Sequence, residues 1–158
     1  MTQVGTTTAA EPPVLERLRR DLEGVLEPDA VITERTRRRT YECDGLTGHR
    51  VIPGLVVLPR TTEQVAAVVR ACAQHQVPFV ARGSGTGLSG GALPHADGVL
   101  IVLSRMRSIL DIDVPNQRIT VEPGVTNAEV SKAVAAHGLY YAPDPSSQIV
   151  CSIGGNVA

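Results

Sequence analysis

The chain contains no tryptophan, one phenylalanine and three tyrosines in 158 residues, so aromatic side chains make up only 3% of it. A surface that holds single-stranded nucleic acid by stacking needs more rings than this. Neither sign of charge is in excess: 15 basic and 16 acidic residues leave a net charge of −1, with no footprint for nucleic acid or an anionic membrane. The three cysteines, Cys43, Cys72 and Cys151, are an odd number without CxxC spacing. That argues against a disulfide framework and a zinc site and fits a reducing cytoplasm. No apolar run approaches the ~20 residues of an integral membrane segment, and "MTQVGTTTAAEPP" lacks the basic-then-apolar order of a secretory leader. A cytoplasmic chain is expected, with residues 1–12 as a disordered tail.

What is present suits a globular chain, with 42% hydrophobic and 20% charged residues. "PPVLERLRRDLEG" puts proline at a helix start, Val14, Leu15, Leu18 and Leu22 on one face and Gly24 at the end. The basic run "RTRRRT", Arg35 to Thr40, reads as a solvated lead-in, so 13–40 is expected to be a helical lead-in. From Leu55, "LVVLP" predicts a buried strand stopped by Pro59. "TTEQVAAVVRACAQH" follows as a helix, with Thr61 and Gln64 spaced as a capping box and Val65, Val68, Val69 and Cys72 on one face. "VPFVA" reads as a second buried strand, making a parallel βαβ unit. "GVLIVL" is a further strand, "ILDID" and "QRITVEP" form a hairpin around "VPNQ", and "TNAEVSKAVAAHG" is a helix capped by Thr126 and Glu129.

The glycine loop between the second and third of these strands carries the functional signal. Five of the nine residues from Gly83 to Gly91 are glycine, and none of the other four is charged. So many glycines cost chain entropy, which implies that something approaches this backbone closely. Gly85-Thr-Gly87-Leu-Ser-Gly90 formally matches the nicotinamide fingerprint, with Asp111 and Asp113 about twenty residues on. That fingerprint must open a helix, and "GALPHADG" cannot continue one. A Walker loop lacks its Lys-Ser/Thr pair. What remains is a nest of inward N–H groups on glycines of positive φ, with hydroxyls from Ser84, Thr86 and Ser89 and the charge of Arg82, suited to a diphosphate.

"RGSGTGLSGG" followed by "PDPSSQ" and "CSIGGNVA" resembles the FAD-binding domain shared by vanillyl-alcohol oxidase and p-cresol methylhydroxylase (PCMH). Within that family it resembles the D subunits of glycolate oxidase, through "YECDGLTGHR", "VVLPRTTEQV", "GALPHADGVLIVLSRM" and "HGLYYAPDPSSQ". The resemblance implies an α+β (α/β) fold: a PCMH-type domain with an N-terminal βαβ subdomain and the start of a second, mixed or antiparallel subdomain. Residues 41–158 would be the N-terminal part of that domain, truncated before its remainder and a substrate-cap domain.

It also implies FAD, with the pyrophosphate on Arg82, Gly83, Ser84, Gly85, Thr86, Gly87, Leu88 and Ser89. The ribityl chain and flavin ring would lie along Pro143, Asp144, Ser146, Ser147, Ser152, Gly154, Gly155 and Asn156, with Pro59 near the adenosine end. Covalent members carry histidine where this chain has Thr86, so the FAD is expected to be non-covalent. The implied reaction is oxidation of a 2-hydroxy acid, glycolate first, by hydride transfer to flavin N5. Alternatives are a D-lactate or D-2-hydroxyglutarate dehydrogenase, or a non-catalytic nucleotide-binding module.

The base, the carboxylate-binding arginine and any metal-ligating histidines would lie outside this chain, so no catalytic or metal residue is assigned. The chain is expected to be a fragment, inactive alone, of an enzyme that works with a second flavin-type subunit and an iron–sulfur subunit, peripheral to the inner face of the membrane through them. Cys151 reads as a buried inert thiol rather than a thioether to the ring. Asp144 either contacts the flavin or sets its turn. Tyr140 and Tyr141 are expected to pack beneath the flavin, and Asp111 and Asp113 to face solvent. His75 and His137 end helices, and His49 and His95 lie in loops without a second metal ligand.

Overall fold

The computed structural model describes residues 12–143 and 145–158. Of the expected tail, residues 1–11 lie outside the described residues, and so does Asp144. The elements run α1 (Pro13–Glu23), β1 (Val31–Ile32), α2 (Arg35–Arg38), β2 (Leu55–Val57), α3 (Thr62–His75), β3 (Phe79–Arg82), β4 (Val99–Val102), β5 (Ile109–Asp113), β6 (Arg118–Val121), α4 (Asn127–Val134) and α5 (Ile153–Val157). The first sheet has the order β1-β2-β4-β3, and β5 and β6 form a separate antiparallel ribbon. This is the mixed α+β architecture expected.

β2 and β4 are buried along their whole length because both faces of the sheet are covered. On one face Leu55, Val57, Val99 and Ile101 pack against Leu15, Leu18 and Leu22 of α1 and Val68 and Cys72 of α3. On the other, Val56, Leu100 and Val102 pack with Ile32, Leu58, Tyr41 and Val80. Burial raises the Cys72 thiol to about 11, which keeps it neutral and inert.

β2 and β3 are both parallel to β4, which lies between them, so the expected parallel βαβ unit is present with a strand inserted. Two other sequence expectations change here. β3 is an edge strand rather than a buried one: among the described residues it pairs only with β4, and Phe79 is 43% exposed. The segment before Leu55 contributes a strand as well as helix. Two-residue β1 pairs antiparallel with β2, and it is too short to leave a periodic signal in the sequence.

The lead-in arginines are also not all solvated, since Arg38 donates to the carbonyls of Pro53 (2.7 Å) and Gly54 (2.6 Å). His75, at the C-terminal end of α3, is tied to Asp21 of α1 at 2.6 Å in addition to facing the helix dipole.

Both helix caps predicted at threonine are present. Thr61 Oγ1 accepts from Gln64 N, although the Gln64 side chain accepts from Arg60 N rather than closing the box on Thr61. At α4 the box is reciprocal: Thr126 Oγ1 accepts from Glu129 N, and Glu129 Oε2 accepts from Thr126 N at 2.8 Å. That backbone bond, with the Thr126 hydroxyl and Arg107 adding to it against desolvation, holds the Glu129 carboxyl below its ordinary range. Asp113 does more than face solvent. Its carboxylate accepts from Asn116 and Arg118 and so fixes the hairpin turn in which Gln117 has φ 53°.

Leu18→Ala should cost about 2–5 kcal/mol, whereas Arg20→Ala on the solvent face should stay within about 0.5 kcal/mol, both read from urea unfolding midpoints. Because the folded Glu129 carboxyl is depressed, its contribution is present above the ordinary carboxylate range and fades as pH falls through the folded value. The stability gap between the parent and Glu129→Ala should therefore narrow as pH falls below the ordinary carboxylate range; a gap that stays constant through acid unfolding would contradict this.

Candidate functional site

The glycine loop leaves the carboxyl end of β3, the side of an open parallel sheet where ligands bind. No helix forms between Gly83 and Gly91, so the nicotinamide geometry is absent. Two glycines of the loop, Gly85 (φ 72°) and Gly90 (φ 77°), use the left-handed region. The others serve space rather than torsion. A Cβ on Gly83 would collide with the Ser152 hydroxyl, while Gly87 and Gly91 have nothing within 4 Å of where a Cβ would stand. Of the loop glycines expected to carry positive φ, only Gly85 and Gly90 do.

Opposite the loop stands a second wall, made where the segment after Pro145 folds back on the start of α4. Ile153 N donates to Val125 O (2.8 Å), Gly154 N to Pro123 O (2.9 Å) and Ala128 N to Gln148 O (3.0 Å). Thr126 and Ser152 form an antiparallel bridge. The stretch read as a loop from Ser152 to Asn156 winds into the five-residue helix α5, with Ser152 at its N-cap. Its two glycines hid that helix, since glycine is a poor helix former; Gly154 is there because a Cβ would meet Pro123 at 2.6 Å.

Between the walls lies a trough of about 520 Å³. Of the candidate residues, Gly83, Ser84, Gly85, Thr86, Gly87, Ser89, Ser147, Ser152, Gly155 and Asn156 line it. Pro59, Arg82, Leu88, Pro143, Ser146 and Gly154 do not: Pro59 is buried at the end of β2, Leu88 is 73% exposed, and Pro143 and Ser146 are on the surface. Asp144 lies outside the described residues. Cys151 reaches the lining and is 3% exposed. Tyr140 and Tyr141 instead border a separate hollow with the β5–β6 ribbon and α4, so they do not pack beneath this trough.

Among the described residues no lining side chain is acidic or basic. The Ser152 Oγ is buried without a hydrogen-bond partner. A trough of bare backbone and hydroxyls, with one buried hydroxyl unsatisfied, fits a ligand that brings an anionic diphosphate and polar atoms.

Arg82 sits behind the loop rather than in the trough. Its guanidinium donates to Cys43 O (2.7 Å) and Ala92 O (3.5 Å), lies 5.9 Å from the Tyr41 ring centre and packs against Gly85, where any Cβ would strike it. Burial pulls the Arg82 pKa down, and Asp44, then Cys43 and Tyr41, push it back. Asp44 is itself 4% exposed; Oδ1 accepts from Leu46 N, and Oδ2 has no hydrogen-bond partner. Next to it, a Cβ on Gly45 would meet the carbonyl oxygens of Thr86 (2.7 Å) and Gly87 (2.8 Å). Tyr41, Cys43, Asp44 and Gly45 thus form a platform under the loop that sequence reasoning did not assign. The only local signal was the Asp-Gly pair, which reads equally well as an ordinary turn.

The model of the family described as "FAD binding domain" matches residues 53–158. The chain is 61% identical over 118 residues to the glycolate oxidase subunit GlcD of Escherichia coli K12, a match covering 75% of this chain and 24% of that protein. It is 38% identical over 106 residues to a D-lactate dehydrogenase of Anaerostipes hadrus, covering 67% of this chain and 22% of that one. The chain therefore spans about a quarter of the length of these relatives. A solved structure of p-cresol methylhydroxylase with substrate bound superposes with a TM-score of 0.78 at 22% identity, over 91% of this chain and 29% of that one. That likeness gives the fold, which is the PCMH type.

The glycine sterics separate in stability measurements. Gly45→Ala drives a Cβ into two backbone carbonyls and should destabilise by about 1–3 kcal/mol. Gly91→Ala, facing open space, should stay within about 0.5 kcal/mol of the parent. Equal effects in urea unfolding would mean that the platform does not touch the loop.

Proposed function

Because this chain belongs to the FAD binding domain family, we propose that the trough between the glycine loop and α5 holds FAD without a covalent bond. One observation carries the reading: an uncharged trough walled by glycine backbone on one side and by the unsatisfied Ser152 hydroxyl on the other. The backbone N–H groups from Gly83 to Ser89, with the hydroxyls of Ser84, Thr86 and Ser89, would receive the diphosphate, and Arg82 would add positive charge from beneath. Ser147, Ser152, Gly155 and Asn156 would flank the ribityl chain and ring; Pro143, Asp144, Ser146 and Gly154 are proposed to assist the same half of the cofactor. Leu88 belongs to the loop proposed for the diphosphate, and Pro59 would stand near the adenosine end. Residues 41–158 then form the N-terminal part of the cofactor domain, entered through 13–40.

The protein is proposed to act in oxidising a 2-hydroxy acid to the 2-oxo acid. Glycolate is favoured over D-lactate because identity is 61% to a glycolate oxidase subunit against 38% to a D-lactate dehydrogenase. The chemistry that bound FAD supplies is acceptance of a hydride from the hydroxyl-bearing carbon. This chain's own residues bind and orient; none is assigned to the proton. A second flavin-type subunit and an iron–sulfur subunit are proposed as partners. Among the described residues no helix is long and apolar enough to cross a membrane. A cytoplasmic position, against the inner face of the membrane through those partners, is proposed.

FAD titrated into the protein should bind, and acid precipitation should release all of the flavin to the supernatant. Gly87→Ala, which has open space for its methyl group inside the trough, should unfold like the parent yet bind FAD about tenfold or more weakly. A parent protein that ignores FAD, or flavin retained in the acid pellet, would falsify the non-covalent cofactor site. Glycolate added without oxygen to the full-length holoenzyme that carries this segment should bleach the flavin, and D-lactate should do so more slowly.

A further inference from the structure

Asn127, at the first position of α4, took no part in the sequence reading. It is 2% exposed, one of the few polar side chains in the interior. Its carboxamide is used in both directions. Nδ2 donates to Pro143 O at 2.6 Å, and Oδ1 accepts from Asn156 Nδ2 at 3.3 Å. Its backbone N–H donates to Cys151 O at 3.3 Å. One buried residue therefore ties together three separated points, Pro143, Cys151 and Asn156, of which the last two line the trough. Asn156 alone among these partners is both exposed and part of the trough lining.

A buried carboxamide with both ends engaged cannot rotate without leaving a polar group unsatisfied, so its orientation is locked. The lock passes to Asn156. With one N–H of its Nδ2 held by Asn127, the Asn156 amide is fixed in orientation and offers its carbonyl oxygen as an acceptor beside one remaining N–H. Ribityl hydroxyls and the flavin ring's N–H and carbonyl edge can engage both, whereas a diphosphate, which only accepts, would leave the carbonyl oxygen unused.

We propose that Asn127 is a positioning residue for the cofactor: it pins Asn156 and the Pro143 carbonyl, so that Asn156 meets a donor-bearing part of the FAD as an acceptor. This rests on the FAD reading above. Asn127 does not itself line the trough and acts through Asn156.

The test is a double-mutant cycle on FAD affinity, with the shape of the flavin's visible band and the unfolding midpoint of the FAD-free protein measured on each variant. Asn127→Leu should weaken FAD binding about tenfold or more and alter the visible band, and Asn156→Ala should weaken it to a similar degree. The double variant should be no weaker than the worse single one. Asn127→Asp, which keeps an acceptor for Asn156, should recover part of the loss. Multiplying losses in the double variant, or an Asn156→Ala affinity within about twofold of the parent, would overturn the proposal. The second result stands even if Asn127→Leu fails to fold, because Asn156 is exposed. Absence of FAD binding by the parent would overturn the cofactor reading itself, and is seen before any variant is made.

Discussion

Close backbone approach is the constraint on which the rest of this structure depends. At Gly45, Gly83 and Gly85 a single methyl group would meet a carbonyl, a hydroxyl or a guanidinium. Three segments distant in sequence, around residues 45, 85 and 152, are therefore packed so closely that the glycines leave no room for a side chain of their own. Such packing needs a rigid base, because tight loops hold their shape only where flanking elements do not move. Here the base is the doubly covered pair β2 and β4, with β3 alongside feeding the loop.

The two walls of the trough are organised by different physics. The glycine-loop wall is held from below by a buried charge: Arg82 is fixed by the Cys43 and Ala92 carbonyls and by the partial compensation of Asp44. The α5 wall is held from behind by backbone hydrogen bonds to the start of α4 and by the Asn127 carboxamide. One wall is electrostatic and the other a neutral hydrogen-bonded network. That division parallels the proposed ligand, which is anionic at its middle and neutral and polar toward its ring.

Much of this was legible in the sequence, for identifiable reasons. The α3 and α4 starts were visible because Thr61 and Thr126 sit three residues before Gln64 and Glu129, a spacing that serves little else. The β2 and β4 runs were visible because burial on both faces leaves unbroken apolar stretches. The glycine loop was visible because its composition excludes an ordinary turn. What was hidden depended on partners far along the chain. The edge position of β3 follows from β4 inserting beside it, which no local pattern encodes. The helix over residues 153–157 was masked by two glycines, of which Gly154 is required by close contact with Pro123. Asn127 looked like an ordinary first-turn residue, and Tyr140 and Tyr141 were drawn toward the trough by sequence proximity although the chain carries them to another hollow.

The burial of Arg82 has a consequence for how the trough responds to its solution. Mobile ions screen charges they can approach, and this one lies beneath a peptide layer at 9% exposure. Its field reaches the trough through protein, where the effective dielectric is low, rather than through water. Added salt would weaken the pull of a surface lysine on an anion severalfold more than it would weaken that of Arg82. The attraction is built in as a property of the scaffold, largely indifferent to the ionic strength around it.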